Sequence, residues 1–204
     1  MKLRILSLLI VWMLAPVCAA ELRASTARDR AIATITRLGG TFEIDDQAVG
    51  KPVVKVDLHG TEVRDADLKE IKSLTELRHL DLRLTKIGDE GAKHLKRLTG
   101  LRFLNLFRTQ LSDKGLKELR GLTKLETLLI GGTKVTDRGL VHLKSFAHLR
   151  KLSLFDTRVG DAGLKRLEGL SRLEVVLVSK SMVTDEGTRL LRKALPNIRF
   201  SEPT

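Results

Sequence analysis

Aliphatic residues recur along this chain in a fixed phrase. From Leu122 they fall at Leu125, Leu128, Ile130, Val135, Leu140 and Leu143, and the phrase begins again at Phe146. Full copies of this 24-residue unit open at Leu74, Leu98, Leu122 and Phe146; a fifth opens at Leu170 and a worn one at Gly50. The first half, Leu-x-x-Leu-x-Leu, alternates like a strand with one side buried, and the second, Asp-x-Gly-Leu-x-x-Leu, has helical spacing. One strand and one helix cannot bury both apolar faces alone, but stacked units share a continuous core. The pattern predicts an α/β solenoid. Parallel strands line its concave side and helices its convex side, because helices are wider than strands.

The flanks read as ends for such a stack. A helix is predicted from a cap at Ser25 or Thr26 to Leu38, with Ala31, Ile32, Ile35 and Leu38 on one face and Gly39-Gly40 as its stop. Thr41 to Asp45 alternates as a short strand with Phe42 and Ile44 facing one way. A loop carrying Gly50 and Pro52 then leads into the strand Val53–Leu58. Residues 21–50 form a helix-plus-hairpin cap, which shields the apolar end of the first repeat. Residues 51–197 form the array of about six repeats. Leu195-Pro196-Asn197-Ile198 restarts the strand phrase one residue late, and residues 198–204 are read as the C-terminal end.

Over about Lys51 to Asn197 the pattern resembles the leucine-rich-repeat family, which implies a ribonuclease-inhibitor-like horseshoe. Where many members of that family carry Asn or Cys after the strand, this chain has Thr61, Thr85, Thr109, Thr133, Thr157 and Ser181. A hydroxyl there can still tie down the backbone of the turn. The Asp-x-Gly-Leu half is also similar to repeats of F-box substrate receptors. That reading, a ubiquitin-pathway role, is disfavoured by the absence of an F-box-like segment and by the N-terminus.

The first twenty residues change the picture of where the protein works. Met1-Lys2-Leu3-Arg4 is basic, Ile5 to Ala15 is apolar, and Val17-Cys18-Ala19-Ala20 offers small residues before Glu21. This is the grammar of a secretory signal peptide, too short for a comfortable membrane span. The expectation is a secreted or periplasmic protein with no membrane span after cleavage. Removal of residues 1–20 lowers the net charge from +12 to +10 and takes away the single Cys and the single Trp. A mature chain without cysteine has no disulfide, so its stability rests on its core. Aromatic residues are 3% of the chain, with no Tyr, which fits a core built mainly from Leu.

Two repeating columns belong to the architecture. Asp65, Asp89, Asp113, Asp137, Asp161 and Asp185 sit where helices start and are expected to cap them. Gly91, Gly115, Gly139, Gly163 and Gly187 are expected to allow close packing there.

Candidate chemistry therefore lies between the leucines of the strands, on the concave face. Three rows result: Lys55, His79, Phe103, Thr127, Lys151, Val175; then Asp57, Asp81, Asn105, Leu129, Ser153, Leu177; then His59, Arg83, Phe107, Gly131, Phe155, Ser179. Phe103, Phe107, Leu129 and Phe155 form an apolar patch on a face the core does not need, with a dip expected at Gly131. Such patches mark contact sites. Arg83, Asn105, Arg108 and Lys151 surround it, and these eight residues are the expected surface for a protein partner. Asp57, His59, His79 and Asp81 are of metal-binding residue types. Lys55 and Arg83 interleave with them, however, as on a solvated sheet face, so neither a metal nor a cofactor is expected.

The convex side carries Lys93, Lys96, Arg97, Lys114, Lys117, Arg120, Lys144, Lys165, Arg166, Arg189, Arg192 and Lys193. A solvated helix back accounts for them; adhesion to an anionic polymer or surface is the alternative. Nucleic acid is disfavoured, because export removes the usual target and no stacking aromatics interleave the cations. The sequence has no nucleophile–base pair and no phosphate loop, so no enzyme is expected.

Overall fold

The computed structural model describes residues 27–200. The signal segment, the cap at Ser25 or Thr26 and residues 201–204 lie outside them. The first element, α1, is a helix over 27–37. It buries Ala31 and Ile35 and stops at Gly39, whose φ of +76° only glycine adopts without cost. The strands follow as β1 (Thr41–Ile44), β2 (Val53–Asp57), β3 (His79–Asp81), β4 (Phe103–Asn105), β5 (Thr127–Leu129), β6 (Lys151–Ser153), β7 (Val175–Leu177) and β8 (Arg199–Phe200). They form one sheet in chain order, with β1 antiparallel to β2 and every later pair parallel. Phe42 packs on the core. Ile44 is exposed instead of facing the same way, because the register shifts between Glu43 and Ile44 and breaks the alternation.

Each of β2 to β7 returns over the outside through a short convex element. These are α2 (Leu68–Ile71), α3 (Asp89–Leu95), α4 (Asp113–Glu118), a wholly 3₁₀ segment (Gly139–Ser145), α5 (Asp161–Leu164) and α6 (Asp185–Ala194). Both α4 and α5 run on into 3₁₀ turns, Leu119–Gly121 and Lys165–Leu167. The helical spacing is thus realised partly as 3₁₀ structure. A 3₁₀ turn rises about 2.0 Å per residue against about 1.5 Å for an α-helix, so fewer residues cover the length of a compact unit.

The core is a row of leucine columns. Val56, Leu80, Leu104, Leu128, Leu152 and Val176 pair across successive strands, and all are fully buried. Full burial of such a side chain contributes about 1.5–3 kcal/mol. At the opening position of the fourth full copy Phe146 replaces Leu and is also fully buried.

The hydroxyl column acts as the sequence suggests. Thr85, Thr109, Thr133 and Thr157 are buried and donate to the carbonyl oxygens of Leu82, Leu106, Ile130 and Leu154 at 2.6–2.8 Å. The chain turns at this point through residues in the left-handed region: Gly60, Leu84, Arg108, Gly132, Asp156 and Lys180, with φ from 53° to 66°.

The Asp column works differently from a set of caps. Residues just before it, Ser112 and Thr184, cap α4 and α6. Asp89, Asp113, Asp161 and Asp185 begin their helices, and Asp65 and Asp137 lie in the turns just before theirs. The first five of the column reach across to the next repeat. Asp89 accepts from the Ser112 and Gly115 backbone N–H groups and the Ser112 hydroxyl at 2.6–3.0 Å. Asp113 accepts from the Thr136 N–H and hydroxyl, and Asp161 from those of Thr184. Asp65 and Asp137 accept from the Gly88 and Gly160 N–H groups. The carboxylates are staples between repeats. The Gly column leaves room for them, since a Cβ at Gly91 would sit 2.5 Å from Asp65 Oδ1, and the other four glycines face the preceding Asp just as closely.

Candidate binding face on the concave sheet

The concave rows fall in the expected register, with Lys55, His79, Phe103, Thr127, Lys151 and Val175 aligned across β2 to β7. Backbone pairing continues past the strand ends. The Gly60, Leu84, Arg108 and Gly132 N–H groups donate to the carbonyls of Arg83, Phe107, Gly131 and Phe155. The third row therefore belongs to the same stiff surface.

Curvature buries part of this face. Side chains on the inner side of a bent sheet converge, and in the middle row Asp81, Asn105, Ser153 and Leu177 are only 4–9% exposed. Their polar groups serve the fold. Asp57, Asp81 and Asn105 each accept, through a side-chain oxygen, from the backbone N–H two residues on, at His59, Arg83 and Phe107. Asn105 Nδ2 also donates to Asp81 Oδ2.

The metal-type residues are likewise spent locally. His59 Nδ1 lies 2.8 Å from Asp57 Oδ1, and the His79 ring stacks on Phe103 with centroids 3.9 Å apart. Burial pushes the Asp57 carboxyl up, but the His59 N–H, its imidazole and Arg83 outweigh that and hold it below the ordinary range. Burial, helped by Lys55 and opposed by Asp81, Asp57 and Glu43, lowers the His79 imidazole. Among the described residues no three His, Cys, Asp or Glu side chains gather as a metal site.

The apolar residues divide into two groups. Phe103 belongs with His79, whereas Phe107 and Phe155 face each other with centroids 6.1 Å apart. Beside that pair lies a shallow cavity of about 190 Å³, walled by Phe107, Leu129, Phe155 and Leu177 with Arg83 and Lys151 at its sides. Asn105 and Ser153 line it as well. The expected dip at Gly131 is closed by the Phe155 backbone and the Phe107 ring, because a Cβ there would meet Phe155 O at 2.8 Å and Phe107 Cδ2 at 3.1 Å. Arg108 lies over the Phe107 ring at 5.3 Å and Lys180 over Phe155 at 5.4 Å.

Leu177 and Lys180 were not among the eight expected residues. Leu177 was detectable as an aliphatic residue in a row that, apart from Leu129, carries Asp, Asn or Ser. Lys180 had no signal, since its position over Phe155 depends on a left-handed backbone. A larger cavity of about 600 Å³ lies outside, between α5 and α6. Its walls include the long side chains of Lys165, Glu168 and Lys193, which move readily, so the rigid strand-borne cavity is the better-formed site.

A curved parallel sheet inside and short helices outside, repeated every 24 residues, define an α/β repeat solenoid. A family model described as Leucine Rich repeat matches residues 73–96, 98–119 and 147–167. Those three stretches of the chain carry leucine-rich repeats. Comparison with curated proteins finds no match. Among solved structures, the internalin InlF of Listeria monocytogenes is similar at 18% identity and a TM-score of 0.56, over 83% of this chain and 54% of its own. The leucine-rich-repeat ectodomain of the Arabidopsis receptor kinase HAESA is similar at 20% identity and a TM-score of 0.59. That match covers 76% of this chain and 26% of the ectodomain, which was solved in complex with an N-terminally extended IDA peptide hormone. These likenesses show the fold. This chain spans about half of the one neighbour and a quarter of the other. No enzyme family is among these matches, and among the described residues no helix is long and apolar enough to cross a membrane.

Proposed function

We propose that this chain is an exported binding module that captures a protein partner on its concave face, through the array at 51–197 with residues 21–50 as its cap. The observation that carries the reading is the apolar cavity beside Phe107 and Phe155, on a sheet face whose Asp57, Asp81 and Asn105 are satisfied within the protein. Buried aromatic anchors ringed by polar groups are the usual centre of a protein contact. The HAESA ectodomain, of the same fold, holds a peptide ligand.

Phe155 is 9% exposed, so glutamate there would disturb the fold; Phe107 and Leu129 are the accessible positions. The test is cross-linking of the mature protein in its native compartment, with and without Phe107→Glu and Leu129→Glu together. The double variant keeps its circular dichroism and loses the partner. Retained cross-linking refutes the reading. Export is tested by the intact mass of native protein, expected to lack residues 1–20.

A second reading, adhesion to an anionic polymer through the convex side, is favoured by one observation. Of the twelve basic convex residues named above, only Lys93 and Arg189 have ion-pair partners among the described residues. Retention on heparin through moderate salt supports it, and release at low salt points to net charge alone.

A further inference from the structure

We infer that the concave cavity receives one large apolar side chain from an extended segment of the partner, with a carboxylate two residues to either side of it. This rests on the concave-face reading above and adds the chemistry of the segment.

Size comes first. Pockets for small molecules run about 300–1,000 Å³, and this cavity is about 190 Å³. It has room for one side chain rather than a free ligand. The backbone offers nothing to the segment, because the parallel pairings of β2 to β7 and their extensions use the N–H and C=O groups of this face. Recognition must run through side chains.

Charge sets the rest. Arg83 and Lys151 border the cavity, and Arg108 and Lys180 stand over its two rings. Lys151, Arg108 and Lys180 have no ion-pair partner among the described residues. Arg83 has one ion-pair contact among the described residues, at 3.7 Å to Asp81, which is buried and already engaged by the Arg83 N–H and Asn105, and it acts at longer range on Asp57. The opposing charge on the rim is Asp156, exposed and without an ion-pair partner among the described residues.

Geometry then gives the spacing. Arg108 and Lys180 occupy the same left-handed column, following β4 and β7. Three strand steps of about 4.8 Å separate them by about 14 Å. An extended segment covers that span in four residues at about 3.4 Å each, and its residues i−2, i and i+2 point to one side. The order acidic-x-apolar-x-acidic, laid across the strands, puts the apolar side chain over the cavity and a carboxylate at each cation. Asp156 lies one step short of Lys180 and weakens that end.

The test pans a random-peptide phage library on the full chain and on Phe107→Glu, followed by anisotropy with the enriched peptide made synthetically. The expected peptides carry a large apolar residue with Asp or Glu at two residues to either side and are lost on Phe107→Glu. Binding should fall roughly tenfold with Arg108→Glu or Lys180→Glu, weaken with salt, and tighten severalfold with Asp156→Lys. Neutral or basic peptides that are lost on Phe107→Glu overturn this inference and leave the concave-face reading standing. Peptides indifferent to Phe107→Glu overturn both. Failure to enrich any peptide on the wild-type chain overturns the inference of a short segment.

Discussion

The carboxylate of Asp89 occupies the space that a side chain at Gly115 would need. Its Oδ1 accepts from the Gly115 N–H at 3.0 Å and from the Ser112 N–H at 2.8 Å, so one oxygen joins two repeats at their closest approach. Gly115→Ala should cost about 1–3 kcal/mol through overpacking. Asp89→Ala should cost a similar amount by leaving N–H groups without an acceptor. Together they should cost less than the sum, because removing the carboxylate frees the space; a coupling of about 0.5–3 kcal/mol in a urea double-mutant cycle is the expected result. Simple additivity would show that the two residues do not share this contact.

The same staple makes stability depend on acid. Hydrogen bonds from the Thr184 N–H and hydroxyl hold the Asp161 carboxyl below its ordinary range. A depressed folded-state value means that the contribution is complete above the unfolded value, about 3.9, and is lost as pH falls through the lower folded value. Asp161→Asn should therefore be less stable than wild type at neutral pH, and the gap should close as pH falls below about 4. Thermal melts across that range check it; a gap independent of pH would contradict the account.

Thr133→Val keeps shape and removes a donor. The Thr133 hydroxyl is buried and donates to the Ile130 carbonyl at 2.6 Å. An unsatisfied buried carbonyl costs about 1–3 kcal/mol. Thr133→Ser, which retains the hydroxyl, should lose distinctly less, as read from urea midpoints at constant slope.

Leu84 is half exposed in the left-handed region at a φ of 58°. That conformation costs a non-glycine residue about 1–2 kcal/mol, and glycine gives back about 0.5–1 kcal/mol through the freedom of the unfolded chain. Leu84→Gly should thus be neutral to stabilising by up to about 1.5 kcal/mol, and Leu84→Val should destabilise. A higher urea midpoint for the valine variant would exclude backbone strain as the governing effect.

Most of the architecture was legible because the repeat writes it many times. The leucine columns, the sheet order, the concave rows and the role of the threonines all follow from period and alternation. Direction across the stack was not legible. An Asp at a helix start can bond its own first turn or its neighbour's, and only the close approach at Gly115 and its equivalents decides between them. Burial on the concave face was hidden for a related reason. Alternation places Asn105 on the open side, but curvature draws Asp81 and Asn105 together and uses their polar atoms. The cavity residues Phe107, Leu129 and Phe155 were visible as apolar residues in a polar row. The position of Lys180 over Phe155 needed the backbone angle.

The reach of the Asp staples also fixes what length the molecule can have. Each connects position n to n + 23, and Asp89 also to n + 26, one unit further on, and no element in the array depends on a distant one. If residues 98–121 were excised and Arg97 joined to Leu122, Asp89 would meet Thr136 and Gly139 in place of Ser112 and Gly115. Leu80 would lie beside Leu128, and every joint would find a partner of the same kind. The protein is in that sense a ruler with interchangeable links: its pitch is set by carboxylate and glycine, while the number of links is a separate variable.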